Sequence, residues 1–327
     1  MPEISRRILA LGAGLALVLA AIAPAAAQTV WRMPTEYPAN AMPGEGLSTF
    51  ASAVAKRAGG GLAIEPLYDA KLKSADVPKA IADGSIQAGD AFGGSLGGLD
   101  PIFALSSLPF VVPSIADAKR LAEAARPAYE QAFAAKGVKL LYTTPWPPSG
   151  LWTKDPLASV EALRALAVRT YDATSTAVMG AVGAKAFNIS FADAQARVKD
   201  GSVNAVLSSG DGGAGRKLWE QLPHFAELNY AIPLSFAVVS LPLYEGLPPD
   251  LRRAVDEAAA ETEARQWAAI ETRLGENYRR MRENGVTIRT QIDPAIVAAL
   301  KQAAANAVAD WRAKAGSAAS LLDDRPR

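Results

Sequence analysis

The sequence predicts an α/β protein of two lobes, each a mixed or parallel sheet flanked by helices, with one long helix bridging them. Three observations carry that prediction. Short apolar runs of strand length alternate with segments whose apolar residues recur every three or four positions, the pattern of strands and helices in turn. Asp83-Gly84-Ser85-Ile86-Gln87-Ala88 is echoed 117 residues later by Asp200-Gly201-Ser202-Val203-Asn204-Ala205, each time between a helical pattern and an apolar run. The helical stretch from Pro248 to Asn284 would measure about 54 Å at 1.5 Å per residue, more than one lobe needs. At 327 residues the chain also exceeds the roughly 250–300 at which a single core stops growing.

Taken in order, Val30 to Met33 reads as the first strand, followed by a Pro-rich loop holding Glu36, Tyr37 and Asn40. Leu47, Phe50, Ala51, Val54 and Ala55 have helical spacing, and Gly59-Gly60-Gly61 stops that helix. Leu62 to Leu67 and Ile86 to Ala91 are strands around a short helix at Ser74 to Ala82, which Gly84 closes. Ser114-Ile115-Ala116-Asp117 has capping-box spacing and opens a helix to about Ala135. After a strand at Val138 to Tyr142, Pro145-Trp146-Pro147-Pro148 forms a rigid crossing between lobes. The second lobe starts with a strand over 165–169 and a helix near 174–183. A short strand at 187–189 and a helix opened by Ser190 follow. In the long helix, Val255, Ala258, Thr262, Trp267, Ile270, Leu274, Tyr278 and Met281 recur at steps of three to five, with Gly275 as a bend. Glu261–Arg265 and Glu276–Arg280 are i,i+4 pairs of the favourable order. Val286 to Arg289 returns as a strand, and Asp293-Pro294 opens a last helix. The expected division is residues 28–146 plus about 236–274 in lobe I and 147–235 plus about 275–315 in lobe II. From 316 the tail is expected to be loose.

Composition removes several function classes. The net charge is +1, and without residues 1–27 the basic and acidic residues balance, so no basic stripe supports nucleic-acid binding. There is no cysteine, which excludes disulfides, thiolate metal sites and cysteine nucleophiles. The single histidine, His224, removes His-pair metal motifs and reads as structural. No spacing of carboxylates argues for acid–base chemistry or a closed metal site, so binding is expected rather than catalysis, with no cofactor or metal. At the N-terminus, Arg6-Arg7, an apolar run from Ile8 to Ile22 and Ala25-Ala26-Ala27 form a secretory signal peptide over 1–27. Sec and twin-arginine export both fit it. No other run reaches the ~18 apolar residues of a membrane span, so the exported chain is expected not to span the membrane.

The candidate site lies between Ala165 and Gly215. An apolar run ends at Arg169, and about 40 residues on a second run, Val203 to Leu207, ends in Ser208, Ser209, Gly210, Asp211 and Gly212. In open α/β sheets, ligands bind beyond the carboxyl ends of strands. A guanidinium there suits a carboxylate, because its fork donates two parallel hydrogen bonds. The echo at Asp83 brings Gly89 to Gly94, with Phe92, to the opposite wall. Trp146 from the crossing, Glu36 and Tyr230 complete the candidate ligand-binding set. One competing reading rests on Gly210-Asp211-Gly212-Gly213-Ala214-Gly215, which has the G-x-G-x-x-G spacing of a dinucleotide loop and would make the chain an exported NAD(P)-dependent oxidoreductase. Asp211 inside that loop would repel a pyrophosphate.

With these features in view, the sequence resembles the solute receptors of TRAP transporters (DctP type) over nearly the whole exported chain. The carriers are Leu105-Ser106-Ser107-Leu108-Pro109-Phe110, Trp146-Pro147-Pro148-Ser149-Gly150-Leu151-Trp152, Leu166-Ala167-Val168-Arg169, the Asp200-Gly201 unit and the long helix after Leu247-Pro248-Pro249. The resemblance implies a type II-like periplasmic binding fold that closes on an organic acid. It implies that Arg169 grips the carboxylate, and that small four-helix and large twelve-helix permease subunits receive the solute. An ABC-type receptor shares the fold. Leu207 and Ser208 stand where some relatives place metal ligands, and Ser149 lies near the place of a second arginine, so a metal-assisted or dicarboxylate site is not implied. Trp146 and Phe92 leave an aromatic or hydrophobic monocarboxylate open.

Overall fold

The computed structural model describes residues 28–323; the signal-peptide segment, residues 1–27, lies outside them. The chain begins with β1 (Thr29–Pro34), α1 (Met42–Arg57), β2 (Leu62–Leu67), α2 (Val77–Ala82) and β3 (Ala88–Phe92). Two 3₁₀ segments, Gly93–Leu96 and Pro101–Ser107, lead to α3 (Ile115–Ala134) and β4 (Val138–Pro145). Ser114 caps α3, accepting a hydrogen bond from the Asp117 amide at 3.1 Å. The chain then makes β5 (Ser149–Thr153), α4 (Val160–Arg164), β6 (Ala167–Thr170), α5 (Ala173–Ala181) and β7 (Lys185–Asn188). α6 (Phe191–Lys199), β8 (Ala205–Ser209), α7 (Gly210–Gly215) and β9 (His224–Ala226) follow, before β10 (Leu234–Ser240) and α8 (Leu241–Glu245). The 35-residue α9 (Pro249–Glu283), β11 (Thr287–Arg289) and α10 (Pro294–Lys314) close the chain.

Three sheets form, two in the first lobe and a mixed six-stranded one in the second. In the first lobe β3-β10-β4 are hydrogen-bonded, with the parallel pair β1-β2 beside β3. In the second, the order is β11-β9-β5-β8-β6-β7. One strand in each of the two larger sheets runs against its neighbours: β10 is antiparallel to β3 and β4, and β5 is antiparallel to β8 and β9. Both arrive from the other lobe. β5 enters after Pro145-Trp146-Pro147-Pro148, and β10 returns after residues 227–233. The two crossings run side by side, tied by Trp146 N to Pro233 O and Ser149 N to Ala231 O, both 2.8 Å, and by Tyr230 N to Ser149 O at 2.9 Å. These paired strands form a hinge between the lobes, which α9 also joins.

The repeated hexapeptide has one structural meaning. Asp83 and Asp200 each end a helix, Gly84 and Gly201 take φ of +78° and +76°, and each aspartate accepts a hydrogen bond from the serine amide two residues on. This turn launches β3 in one lobe and β8 in the other, so the two strand ends are equivalent walls. α9 spans both lobes. Val255 and Ala258 pack with Leu47 and Phe50 in the first, and Met281 packs with Trp152 and Val206 in the second. It runs unbroken through Gly275, where a bend was expected. Arg265 pairs with Glu261 at 2.6 Å as its spacing predicts, but Glu276 turns to Arg273 at 3.7 Å. The segment from Gly316, expected to be loose, is a 3₁₀ helix through Leu322. Leu322 is buried in the first-lobe core, and Asp323 pairs with Arg312 at 2.7 Å.

Candidate functional site

The strand ends meet at a small cavity between the lobes, about 340 Å³ of empty space. Arg169 forms its polar pole. The position follows from register: β6 is parallel to both β7 and β8, so its carboxyl end is flanked by two backbones with carbonyls to offer. Arg169 Nε donates to Ile189 O at 2.9 Å and Nη1 to Leu207 O at 3.3 Å. A guanidinium has five N–H bonds, so three remain, including both of those on Nη2. The ring of Phe191 lies 5.0 Å from the guanidinium carbon. Arg169 is 5% exposed, and among the described residues no carboxylate lies within ion-pairing distance of it. Burial pulls its pKa below the ordinary value; Tyr37, Glu36, Tyr171 and Asp172 oppose that pull only through space. An arginine cannot escape by losing its proton. The fold therefore holds a buried cation whose remaining N–H groups have the geometry of a donor to an oxyanion.

The remaining walls are hydroxyl and aromatic. Ser208 and Ser209, at the end of β8, and Ser149, at the start of β5, line the cavity with Gly212 and Pro233. Trp146 is fixed by its indole N–H to Ser235 Oγ at 3.1 Å and meets Tyr37 edge-on, with ring centroids 4.7 Å apart. Phe92 meets Tyr171 edge-on at 5.2 Å, one ring from each lobe. Burial raises the Tyr37 and Tyr171 pKa values well above the ordinary phenol value, so both are neutral hydrogen-bonding groups at any physiological pH.

Of the residues singled out in the sequence, the structure brings Arg169, Trp146, Ser208, Ser209 and Phe92 around this one cavity. Three stand elsewhere. Asp211 is buried in an interlobe joint, where it accepts the Met42 amide at 2.8 Å and the Asn277 side-chain amide at 3.0 Å, and pairs with Arg273 Nε at 2.7 Å. Glu36 turns away to accept from the amide and hydroxyl of Ser74. Tyr230 is fully buried beneath the site in the hinge. Tyr37, Ser149, Tyr171 and Phe191, which also line the cavity, were missed as site residues. Tyr171 had a readable signal, since it follows Arg169 by two positions and an extended chain puts such residues on one side. Phe191 had none beyond its place after the helix-capping Ser190.

The glycine run is also explained. Gly210 to Gly215 is a short helix, not a phosphate-binding loop. A Cβ on Gly213 would overlap the Trp152 indole, whose N–H donates to Ser209 O at 3.1 Å. A Cβ on Gly212 would press on Ser208 Oγ. These glycines let a helix pack on a tryptophan and a serine hydroxyl, and Asp211 just before them is spent on the joint. The dinucleotide reading loses its motif.

A hinge of two strands and a cavity whose one cation lacks an internal partner are built to close on a small solute, which puts the protein in the class of two-lobed solute-binding receptors. The family model for bacterial extracellular solute-binding proteins, family 7 (DctP), matches residues 33–314, and the chain belongs to that family. Solved structures agree. Two extracytoplasmic solute receptors of Bordetella pertussis that bind pyroglutamic acid, DctP7 and DctP6, match with TM-scores of 0.87 and 0.86 at 28% and 26% identity. Each match covers 90% of this chain and 98% of the receptor. A marine metagenome TRAP solute-binding protein specific for pyroglutamate matches at TM-score 0.86 and 28% identity, over 91% of this chain and 98% of its own. No curated protein matches the sequence. Among the described residues, no helix is long and apolar enough to cross a membrane.

Proposed function

We propose that this receptor captures a compact organic monocarboxylate in the extracytoplasmic space and hands it to TRAP membrane subunits, a small four-helix and a large twelve-helix protein. The observation that carries the reading is Arg169, a buried guanidinium with free N–H groups and no carboxylate of the chain beside it. The cavity adds no second cation, which favours one carboxylate over two. Its small volume and aromatic walls suit a ring acid of the size of pyroglutamate, the solute of the three structural relatives above. With no reactive pair of groups around the cavity, the chain binds its solute and leaves it chemically unchanged. Residues 1–27 direct it to the periplasm by the Sec or the twin-arginine route.

A thermal-shift screen of organic acids, run beside NAD and NADP, tests the reading. Stabilisation by pyroglutamate or a related ring acid, and none by the dinucleotides, is the expected result; stabilisation by a dinucleotide alone overturns it. A charge-assisted contact contributes roughly 1.5–3 kcal/mol. Arg169→Ala should then weaken binding at least ~30-fold in titration calorimetry. Unchanged affinity would remove Arg169 from the site.

A further inference from the structure

Behind the Arg169 cavity lies a second and larger one, with about 1070 Å³ of empty space, between the first turn of α5, the end of α10 and the 3₁₀ segments that follow β3. Asp172 and Gly94 line it, together with Asn188, Asp310 and Lys314. Asp172 is 2% exposed. One carboxylate oxygen, Oδ1, accepts from the amide and hydroxyl of Ser175 at 2.7 and 2.6 Å, while Oδ2 has no hydrogen-bond partner. Ser107 Oγ is likewise buried without a partner. The position a Cβ would take on Gly94 locates these atoms: it is 2.6 Å from Phe92 Cε1, 2.8 Å from Asp172 Oδ2 and 2.9 Å from Ser107 Oγ. The edge of the Phe92 ring and the orphaned carboxylate oxygen therefore flank the same point above Gly94. The same ring walls the Arg169 cavity and is braced there by Tyr171.

We infer that Phe92 is the partition of a bipolar cleft and the residue that sets solute length. On one side a cation waits for a carboxylate; on the other an anion waits for a hydrogen-bond donor. With the ring in place, only compact acids fit against Arg169. With the ring removed, the two compartments join, and an extended acid carrying an ammonium group at its far end can reach from Arg169 to Asp172. An unpaired buried carboxylate oxygen is costly, and an ammonium supplies the donors it lacks. The inference rests on the monocarboxylate reading above and adds what limits it.

The test is titration calorimetry on the exported chain and on Phe92→Ala, with pyroglutamate and 6-aminohexanoate as probes. In the unsubstituted protein pyroglutamate should bind and 6-aminohexanoate should not. In Phe92→Ala the ratio of the two affinities should move at least ~10-fold toward 6-aminohexanoate. Adding Asp172→Asn should cancel that gain. Phe92→Leu, which keeps apolar bulk in case the alanine variant does not fold, should shift the ratio the same way by less. An unchanged ratio in folded Phe92→Ala or Phe92→Leu overturns the partition, and a gain that survives Asp172→Asn overturns the role of the carboxylate. If the unsubstituted protein binds 6-aminohexanoate as well as pyroglutamate, Phe92 is no wall. If it binds no acid at all in the screen, the monocarboxylate reading itself fails.

Discussion

Two arginines of this protein, one buried and one largely so, live in opposite surroundings. Arg169 has two carbonyls and an aromatic face but no carboxylate, and burial pulls its pKa down. Arg273, on the bridging helix, pairs with Glu45 and Asp211 at 2.7 Å each and with Glu276 at 3.7 Å. Burial works against its charge too, but the pull of Asp211 and Glu45 prevails and its pKa is raised. Both cations cost desolvation. Where the counter-charge belongs to the chain, the buried pair is a joint between lobes. Where it does not, the cation is left free to take an anion from outside, which is the basis of the role proposed for Arg169. Burial alone does not suggest a binding residue; burial without an internal partner does.

The comparison breaks most visibly at the joint. Asp211→Ala removes the acceptor of the Met42 amide and the Asn277 side chain, together with one partner of Arg273, and should destabilise the protein by about 3–4 kcal/mol. Urea denaturation reads this directly. A loss below about 1 kcal/mol would mean that Glu45 suffices and Asp211 is no joint. At the site the sign differs. Arg169→Met deletes an unpaired charge, so stability without ligand should hold or rise while solute binding is lost, a binding effect of about 2 kcal/mol. Destabilisation matching that of Asp211→Ala would make Arg169 structural.

Asp90 is the anionic version of the same case. It is 1% exposed with one hydrogen bond, from Thr35 Oγ1 at 2.9 Å, and burial pushes its pKa from 3.8 to about 7. Unlike an arginine, it can take up a proton and stay neutral. Between the unfolded and folded values the native state binds more protons, so stability falls as pH rises from about 4 to 7 and the loss is complete above 7. Asp90→Asn keeps an acceptor for Thr35 and should be more stable than the parent at pH 8 by up to about 4 kcal/mol, with the difference vanishing near pH 4. Equal midpoints at the two pH values would remove Asp90 from this account.

How far the sequence reveals these roles follows from the distance over which each is decided. Arg169 was legible because a strand end and the residue on it are local: the apolar run to Val168 sets the place, and the echoed turn at Asp83 and Asp200 fixes the facing wall. The capping residues Ser114 and Asp293 were legible for the same reason. β5 and β10 were hidden. Both are buried on both faces, so they lack the alternation that marks a strand, and each joins a sheet whose other strands lie far away in the chain. Asp211 misled because its neighbours are glycines and its partners are Met42, Arg273 and Asn277, from two distant helices. Gly213 misled because the tryptophan that demands it, Trp152, lies in β5, three strands before the β8 that Gly213 follows.

A third arginine sits between the two extremes and gives the finest test. Arg216 follows α7 in the second lobe and reaches across to the first, where it donates to Glu36 O and pairs with Asp69 at 3.0 Å. Its guanidinium carbon lies 5.8 Å from the centre of the Phe191 ring, the ring that Arg169 faces at 5.0 Å. Phe191 is thus flanked by the proposed solute-binding cation and by a cation whose partners belong to the other lobe. Lys73–Asp193 at 2.7 Å is a second such crossing, but both its side chains are about half exposed, and exposed pairs are worth little. Arg216 is mostly buried, although Asp69 is exposed, so its pairing contributes about 1 kcal/mol to the closed form and nothing once the lobes part. Arg216→Ala should therefore leave the association rate unchanged and raise the dissociation rate of a bound ring acid about fivefold. The parent should show the same acceleration, more weakly, as salt screens the Asp69 pair. Stopped-flow fluorescence on the cavity tryptophan, Trp146, would follow both rates. A change confined to association would mean that Arg216 steers the solute in; a change in neither would leave Arg169 to hold the closed state alone.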